Sequence, residues 1–309
     1  MIIKPRIRGF ICTTAHPAGL AASVNEQIEY VKSQPAVAGD LKNVLVIGAS
    51  GGYGLASRVT AAFGAGAATL GVSFEKPPTE KKTATQGWYA NVAFEEAAEQ
   101  AGLYAKTLDG DAFSDEMKDK VIQTIQADLG KIDLLVYSLA SPVRMHPKTG
   151  ELHRSVIKPL GDPVHIKSLN VDKGEVHEVD LEPATEEETA NTVAVMGGED
   201  WEFWISALSA AGVLAEGFRT VAFTYIGTEL TWPIYWEGTL GKAKEDLDRA
   251  AAGMRERLAV VSGDARVATL KAIVSQASSA IPVVPLYASL LFKVMKEAGT
   301  HENIIQHIY

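Results

Sequence analysis

"NVLVIGASGGYGLASRVTAAFG", residues 43–64, is the stretch on which the reading of the fold turns. Val44, Leu45, Val46 and Ile47 form an unbroken apolar run, as in a strand buried on both faces. Glycines follow at 48, 51, 52 and 54, and then an alanine-rich segment reads as a helix. Gly48, Gly51 and Gly54 satisfy G-x-x-G-x-x-G, and Gly48, Gly52 and Gly54 satisfy G-x-x-x-G-x-G. A strand, a glycine turn and a helix in this order make a cradle for a pyrophosphate. The glycines let the backbone come close, and the helix start offers free N–H groups and about half a positive charge. A glycine pattern by itself is also ordinary turn chemistry. The strand and helix around this one favour a dinucleotide site.

Outward from the turn, short apolar runs alternate with longer amphipathic segments. Residues 43–48, 68–74, 104–110, 132–140, 220–227 and 267–274 read as parallel strands, and 52–64, 87–101, 114–129, 199–211 and 239–261 as helices. This alternation predicts an α/β fold with a doubly wound, Rossmann-type parallel sheet in the order 3-2-1-4-5-6. Residues 144–183 break the rhythm with short alternating pieces, read as small antiparallel hairpins inserted after the fourth strand. The insertion follows a strand's carboxyl end, so it is either a substrate cover or a surface decoration. The chain as a whole reads as one extended domain.

Composition narrows the partners. The 309 residues are 47% hydrophobic and 22% charged, with a net charge of −9. That balance argues against nucleic acid and against an anionic membrane. Cys12 is the only cysteine, so neither an intrachain disulfide nor a cysteine zinc site can form. The seven histidines show no H-x3-H or H-E-x-x-H spacing, and no metal is expected. His16 and Pro17 interrupt the weakly apolar opening, which argues against a secretion signal. The apolar run 281–292 contains two prolines and is too short to span a bilayer. A soluble, cytoplasmic protein is the expectation.

Glu75 ends the second strand, 27 residues after Gly48, against a usual interval of about 20 for a ribose-binding acid. A carboxylate there accepts from both ribose hydroxyls and repels a 2′-phosphate, favouring NADH over NADPH; a solvated strand-end glutamate is the alternative. Lys76, Lys81 and Lys82 nearby weaken that exclusion. Asp111 follows the third strand, within reach of an adenine amine, and "SLAS" (138–141) follows the fourth.

Tyr235 and Lys244 follow the fifth strand, where nicotinamide reductases carry a tyrosine and a lysine four residues apart. Here they are nine apart. Nine residues at about 100° each put them on opposite faces of one helix. The objection falls away when the helix begins after Tyr235, with Pro233, Gly238 and Gly241 opposing helix and Thr239 as N-cap. Spacing alone leaves open whether this is a catalytic pair or an interfacial aromatic and a solvated lysine.

The stretches "MIIKPRIRGFICTTAHP", "GASGGYG", "FEKPPTEKKTATQGWY", "YSLASPVR", "MGGEDWEFWISAL", "TELTWPIYWEGTLGKAKEDLDRAA" and "SQASSAIPVVPLY", with Tyr-x8-Lys, resemble the FabV-type trans-2-enoyl reductases along essentially the whole chain. These are NADH-dependent enoyl-[acyl-carrier-protein] and enoyl-CoA reductases of the short-chain dehydrogenase superfamily. The resemblance implies hydride transfer from NADH to the β-carbon of an enoyl thioester in fatty acid synthesis. It assigns catalysis to Tyr235 and Lys244, with proton donation from Tyr235 and, from Lys244, cofactor fixation and a positive charge near the developing anion; Tyr225 is the substrate contact. The cofactor set it implies is Gly48, Ala49, Ser50, Gly51, Gly52, Tyr53 and Gly54 in the turn; Phe74 and Glu75; Asp111 and Ala112; Leu139 and Ala140; and Ile273, Val274 and Ser275. The phenols of Tyr53 and Tyr137 read as structural. The substrate rides on acyl carrier protein or coenzyme A, and relatives suggest a monomer. Members of that type usually continue past residue 309, so the resemblance implies a missing C-terminal tail. A carbonyl reductase or alcohol dehydrogenase of the same superfamily, and a non-catalytic NAD sensor, are the competing readings.

Overall fold

A computed structural model describes residues 2–8, 11–139, 141–273, 275–279 and 281–309. Its centre is a six-stranded parallel sheet of β1 (Asn43–Ile47), β2 (Ala68–Ser73), β3 (Ala105–Asp109), β4 (Ile132–Tyr137), β5 (Leu214–Thr224) and β6 (Asp264–Thr269). The spatial order is β3-β2-β1-β4-β5-β6, the doubly wound order expected. Ile47 stands opposite Val72 on one side and Tyr137 on the other. The winding reverses between β1 and β4, and the crevice for a ligand opens at their carboxyl ends.

Among the described residues, ten helices surround the sheet: α1 (Pro17–Lys32), α2 (Gly52–Val59), α3 (Gln86–Gln100), α4 (Asp115–Thr124), α5 (Glu186–Met196), α6 (Glu199–Ala210), α7 (Thr239–Leu258), α8 (Gln276–Ser279), α9 (Val284–Glu297) and α10 (Ile304–Ile308). A π-helical turn prolongs α2 through Thr60–Gly64, and another prolongs α4 through Ile125–Leu129. Strand alternation divides the core. Leu45 and Ile47 pack with Val121 of α4, Trp201 and Trp204 of α6 and Leu247 of α7. Val44 and Val46 pack on the opposite side with Ala61 and Ala67. Among the described residues no helix is long and apolar enough to cross a membrane.

The structure departs from the expected pattern in several places. His16 and Pro17 start a helix that the sequence pattern did not include: His16 Nδ1 accepts from the Gly19 N–H at 3.2 Å, and Pro17 occupies the first turn of α1. β5 begins at Leu214 rather than 220, with an irregular register between Leu214 and Arg219 where Gly217 takes φ +76°. β6 runs from Asp264 to Thr269 rather than 267–274. Helices α1, α5, α8, α9 and α10 are additional; a reciprocal capping box between Thr185 and Glu188 opens α5.

The insertion is two hairpins, as expected. Val143–Met145 pairs with Leu152–Arg154, and Val164–Asn170 pairs with Glu175–Leu181. The second turns Val164, Ile166 and Leu181 inward onto Ile234, Val283 and Val284. It therefore leans on the residue next to Tyr235.

Candidate active site

The glycine turn is held by contacts that allow no side chain at two positions. A Cβ on Gly48, which has φ +84°, would lie 2.2 Å from the Ser138 carbonyl oxygen. One on Gly54 would lie 2.0 Å from the Gly48 oxygen. The N–H groups of Gly48 and Ala49 both donate to the Val72 oxygen, at 2.9 and 3.0 Å, tying the turn to β2. At Gly51 and Gly52 the opposite holds, with nothing within 4 Å of a built Cβ. Gly51 caps α2 without a side-chain bond, so the first N–H groups of that helix face open space. The turn is thus closed underneath and open above, as an approaching pyrophosphate requires. Tyr53 contributes its backbone to this first turn. Its hydroxyl donates to the Lys271 oxygen at 2.7 Å, and its ring meets Phe223 and His307.

Glu75 is not a solvated strand end. Its Oε1 accepts from Ser50 Oγ at 2.6 Å, which turns the carboxylate back onto the glycine turn. A Cβ on Gly87, at the start of α3, would come within 2.1 Å of that oxygen. The Glu75 N–H donates to Asp109 Oδ1 at 3.2 Å; Ser73 Oγ donates to the same oxygen, and Asn91 Nδ2 to Ser73 Oγ. Phe74 is 73% exposed beside this anchored carboxylate.

Asp111 spends Oδ1 on the Phe113 N–H at 3.0 Å, and Ser114 caps α4. Lys118 fixes the segment from behind, donating to the oxygens of Ala112 at 3.1 Å and Phe113 at 2.9 Å and pairing with Asp200 at 2.8 Å. Tyr137 donates to the other Asp200 oxygen at 3.0 Å. Burial pushes the Asp200 carboxyl up, and the Lys118 ammonium opposes that shift. Sequence reasoning missed Lys118 and Asp200, which lie 82 residues apart. Leu139 packs on the main core; Ala140 and Val274 lie outside the described residues.

Tyr235 lies outside the helix that carries Lys244, as the nine-residue spacing requires. A single 3-10 turn, Trp232–Ile234, ends at Tyr235, and α7 begins at Thr239. Two glycines shape the bend. A Cβ on Gly241 would sit 1.8 Å from the Trp236 oxygen, and one on Gly238 would sit 2.7 Å from the Lys158 oxygen. The Tyr235 oxygen accepts from the N–H groups of Gly241 at 2.8 Å and Gly238 at 3.3 Å, folding the loop over the start of α7. Gly238, not Thr239, is the N-cap; the Thr239 hydroxyl donates instead to the Val156 oxygen at 2.6 Å. Further bonds run from the Thr239 N–H to the Lys158 oxygen and from the Leu160 N–H to the Glu237 oxygen. The tyrosine loop is therefore stitched to the start of the insertion.

Tyr235 is 6% exposed, and its ring meets that of Tyr225 edge-on at 5.1 Å. Burial pushes both phenols up, so both stay protonated donors near neutrality. Lys244 is partly buried and, among the described residues, has neither an ion pair nor a hydrogen bond. Burial pushes its ammonium down to about 8. A desolvated cation without a counter-charge is suited to hydroxyls or a carboxamide supplied by a ligand.

Ile273 lines a cleft of about 430 Å³ with Gly52 and Leu55 of α2 and Ile304 and Ile305 of α10. The Ser275 hydroxyl accepts from the Ser278 N–H at 3.1 Å and so opens α8. A wider cleft of about 1140 Å³, between the first hairpin, α5, α6 and α7, contains none of these residues.

Residues 2–80 match the family described as the NAD(P)H binding domain of trans-2-enoyl-CoA reductase, and residues 82–309 match its catalytic region. An enoyl-[acyl-carrier-protein] reductase [NADH] of Saccharophagus degradans is 63% identical over 309 residues, covering all of this chain and 78% of that protein. Its counterpart from Aeromonas salmonicida, named FabV, is 60% identical over the same span. A Clostridium trans-2-enoyl-CoA reductase in complex with NADH superposes with a TM-score of 0.97 at 43% identity, over 100% of this chain and 78% of the other. The Treponema denticola enzyme in complex with NAD gives 0.95 at 53% identity, over 99% and 77%.

Proposed function

This chain belongs to the trans-2-enoyl-CoA reductase family, and from that membership we infer an NADH-dependent reductase of the trans-2 double bond of enoyl thioesters, serving fatty acid synthesis. The carbonyl-reductase and NAD-sensing readings give way to it. The carrying observation within the chain is the pairing of a closed-below, open-above glycine turn with a buried Tyr235 and a Lys244 that has no partner among the described residues.

The residues fit the cofactor. Gly48 and Gly54 make the cradle, the open N-terminus of α2 takes the pyrophosphate, and Glu75 takes the adenosine ribose hydroxyls. Asp111, Ala112 and Leu139 border the adenosine, and Lys244 holds the nicotinamide ribose. NADH supplies the hydride that reaches the β-carbon of the substrate.

Tyr235, kept protonated by burial, donates toward the thioester oxygen where negative charge develops and so favours the enolate. Protonation at the α-carbon completes the reduction, with Tyr235 as the proton source and Tyr225 as the substrate contact. Burial, with Tyr225 beside it, raises the Tyr235 phenol. Lys244 holds the cofactor and supplies a positive charge near the developing anion. The second hairpin covers the acyl end, supported by its apolar packing on Ile234. The chain works as one extended unit, a cytoplasmic monomer taking its thioester from acyl carrier protein or coenzyme A.

The test is a steady-state assay of NADH and NADPH with crotonyl-CoA, a longer enoyl-CoA and an enoyl-acyl carrier protein. Oxidation of NADH by the enoyl thioesters and not by simple ketones is expected. NADH oxidation by ketones alone would overturn the assignment.

A further inference from the structure

Residue 271 is held at three points by groups with no part in the chemistry above. β6 ends at Thr269, and the Leu270 N–H makes a last bond to the Thr224 oxygen at 2.9 Å. Beyond it, the Lys271 N–H donates to His307 Nε2 at 3.3 Å. The Lys271 oxygen accepts from the Tyr53 hydroxyl at 2.7 Å. The Lys271 ammonium pairs with Glu302 at 2.7 Å, and the same carboxylate oxygen lies 3.5 Å from His307 Nδ1. The two ring nitrogens thus have different tasks: with the proton on Nδ1 toward Glu302, Nε2 is the acceptor that Lys271 needs.

Helix α10, which carries His307, is fastened independently. Asn303 and Gln306 form a reciprocal capping box, and Ile305 is buried among Leu55, Ala56 and Val59 of α2. The helix therefore docks on the flank of the pyrophosphate helix and reaches across to the chain that leaves β6. Tyr53 spans the same gap from the glycine turn.

We propose that Glu302 and His307 are positioning residues for NADH, a latch that sets residues 271–273 against the pyrophosphate turn. This rests on the reading that Ile273 and Ser275 belong to the cofactor site. The latch touches no reacting atom; it fixes the distance between the two halves of the cofactor site.

The experiment uses the full chain and measures KM and Kd for NADH, KM for crotonyl-CoA, and kcat. His307→Ala removes the acceptor and is expected to raise KM and Kd for NADH about fivefold, the worth of one hydrogen bond. kcat and KM for crotonyl-CoA are expected to stay within about twofold. His307→Gln, whose amide oxygen replaces Nε2, is expected to restore NADH affinity. An unchanged KM for NADH in His307→Ala, a loss confined to kcat, or failure of the glutamine to restore binding overturns the latch. Should His307→Ala not fold, Glu302→Gln decides, with a two- to threefold rise in KM for NADH expected and no rise overturning it. Ile273→Ala separates the two ideas. If it leaves NADH affinity unchanged, the reading of the segment fails; if it weakens NADH while His307→Ala does not, only the latch fails.

Discussion

Replacing Lys244 by methionine should make the cofactor-free protein more stable while weakening NADH binding. Burial takes the ammonium from the ordinary 10.5 down to about 8, which disfavours the charged form in the folded state by about 3 kcal/mol. Partial exposure screens the charge, so roughly 1–3 kcal/mol is expected on removing it. The direction with pH follows from proton counting. Below pH 8 the lysine is charged in both folded and unfolded chains, and the whole penalty is present. Between pH 8 and 10.5 the folded chain releases its proton first, and stability rises with pH as the penalty is relieved. For a chain of 309 residues, the gain at pH 7 corresponds to a melting temperature about 2–5 °C higher. Thermal melts of the cofactor-free wild type and Lys244→Met at pH 7 and pH 9.5 read this directly, with the difference shrinking at the higher pH. Saturating NADH at a hundred times Kd should then stabilise the wild type by about 2.7 kcal/mol and the variant by less. A variant that melts lower at pH 7 would show that Lys244 already has a compensating partner, and the argument for a ligand-seeking cation would fall.

Tyr235→Phe should lower kcat by at least about a hundredfold with Kd for NADH unchanged, since only the donor is lost; turnover near the wild-type rate removes the phenol from the mechanism. Gly87→Ala should displace the Glu75 carboxylate, because the new Cβ would fall 2.1 Å from its oxygen. KM for NADH should rise and the preference over NADPH should shrink, and an unchanged cofactor ratio would separate Glu75 from selectivity. Lys118→Met leaves Asp200 buried without its cation and should cost about 3–5 kcal/mol in a denaturant titration; a cost below about 1 kcal/mol would mean that the pair is not desolvated. Gly241→Ala should lower kcat more than NADH affinity, because it pushes on the Trp236 oxygen beside Tyr235 and leaves the glycine turn alone.

The legibility of these features in the sequence tracks how local their causes are. The β1 run and its glycines lie within a dozen residues, and the sheet order follows from strand and helix alternation. The position of Tyr235 was also readable, because Gly238 and Gly241 break the helix next to it. The capping boxes at Thr185 and Asn303 were equally local signals for α5 and α10. His16–Pro17 was a local signal too, for the start of α1. What could not be read is set by distant partners. Nothing near Lys118 in sequence points to Asp200, and nothing near Lys271 points to His307. The same holds for the Tyr53 hydroxyl, whose acceptor lies 218 residues away.

The stitching of the tyrosine loop to residues 156–160 carries a consequence for how the enzyme loosens. The loop is kept in place across about 80 residues of intervening chain, from Lys158 to Thr239. Closing so long a segment costs roughly 4 kcal/mol of chain entropy, against a few hydrogen bonds and the apolar contact at Ile234. The glycine turn is secured by the adjoining strands β1, β2 and β4. Release of these few bonds would free the Tyr235 bend while the paired sheet beneath the glycine turn stays intact, so in mild urea enoyl reduction is expected to fail before the sheet unfolds, as activity and circular dichroism followed together would show.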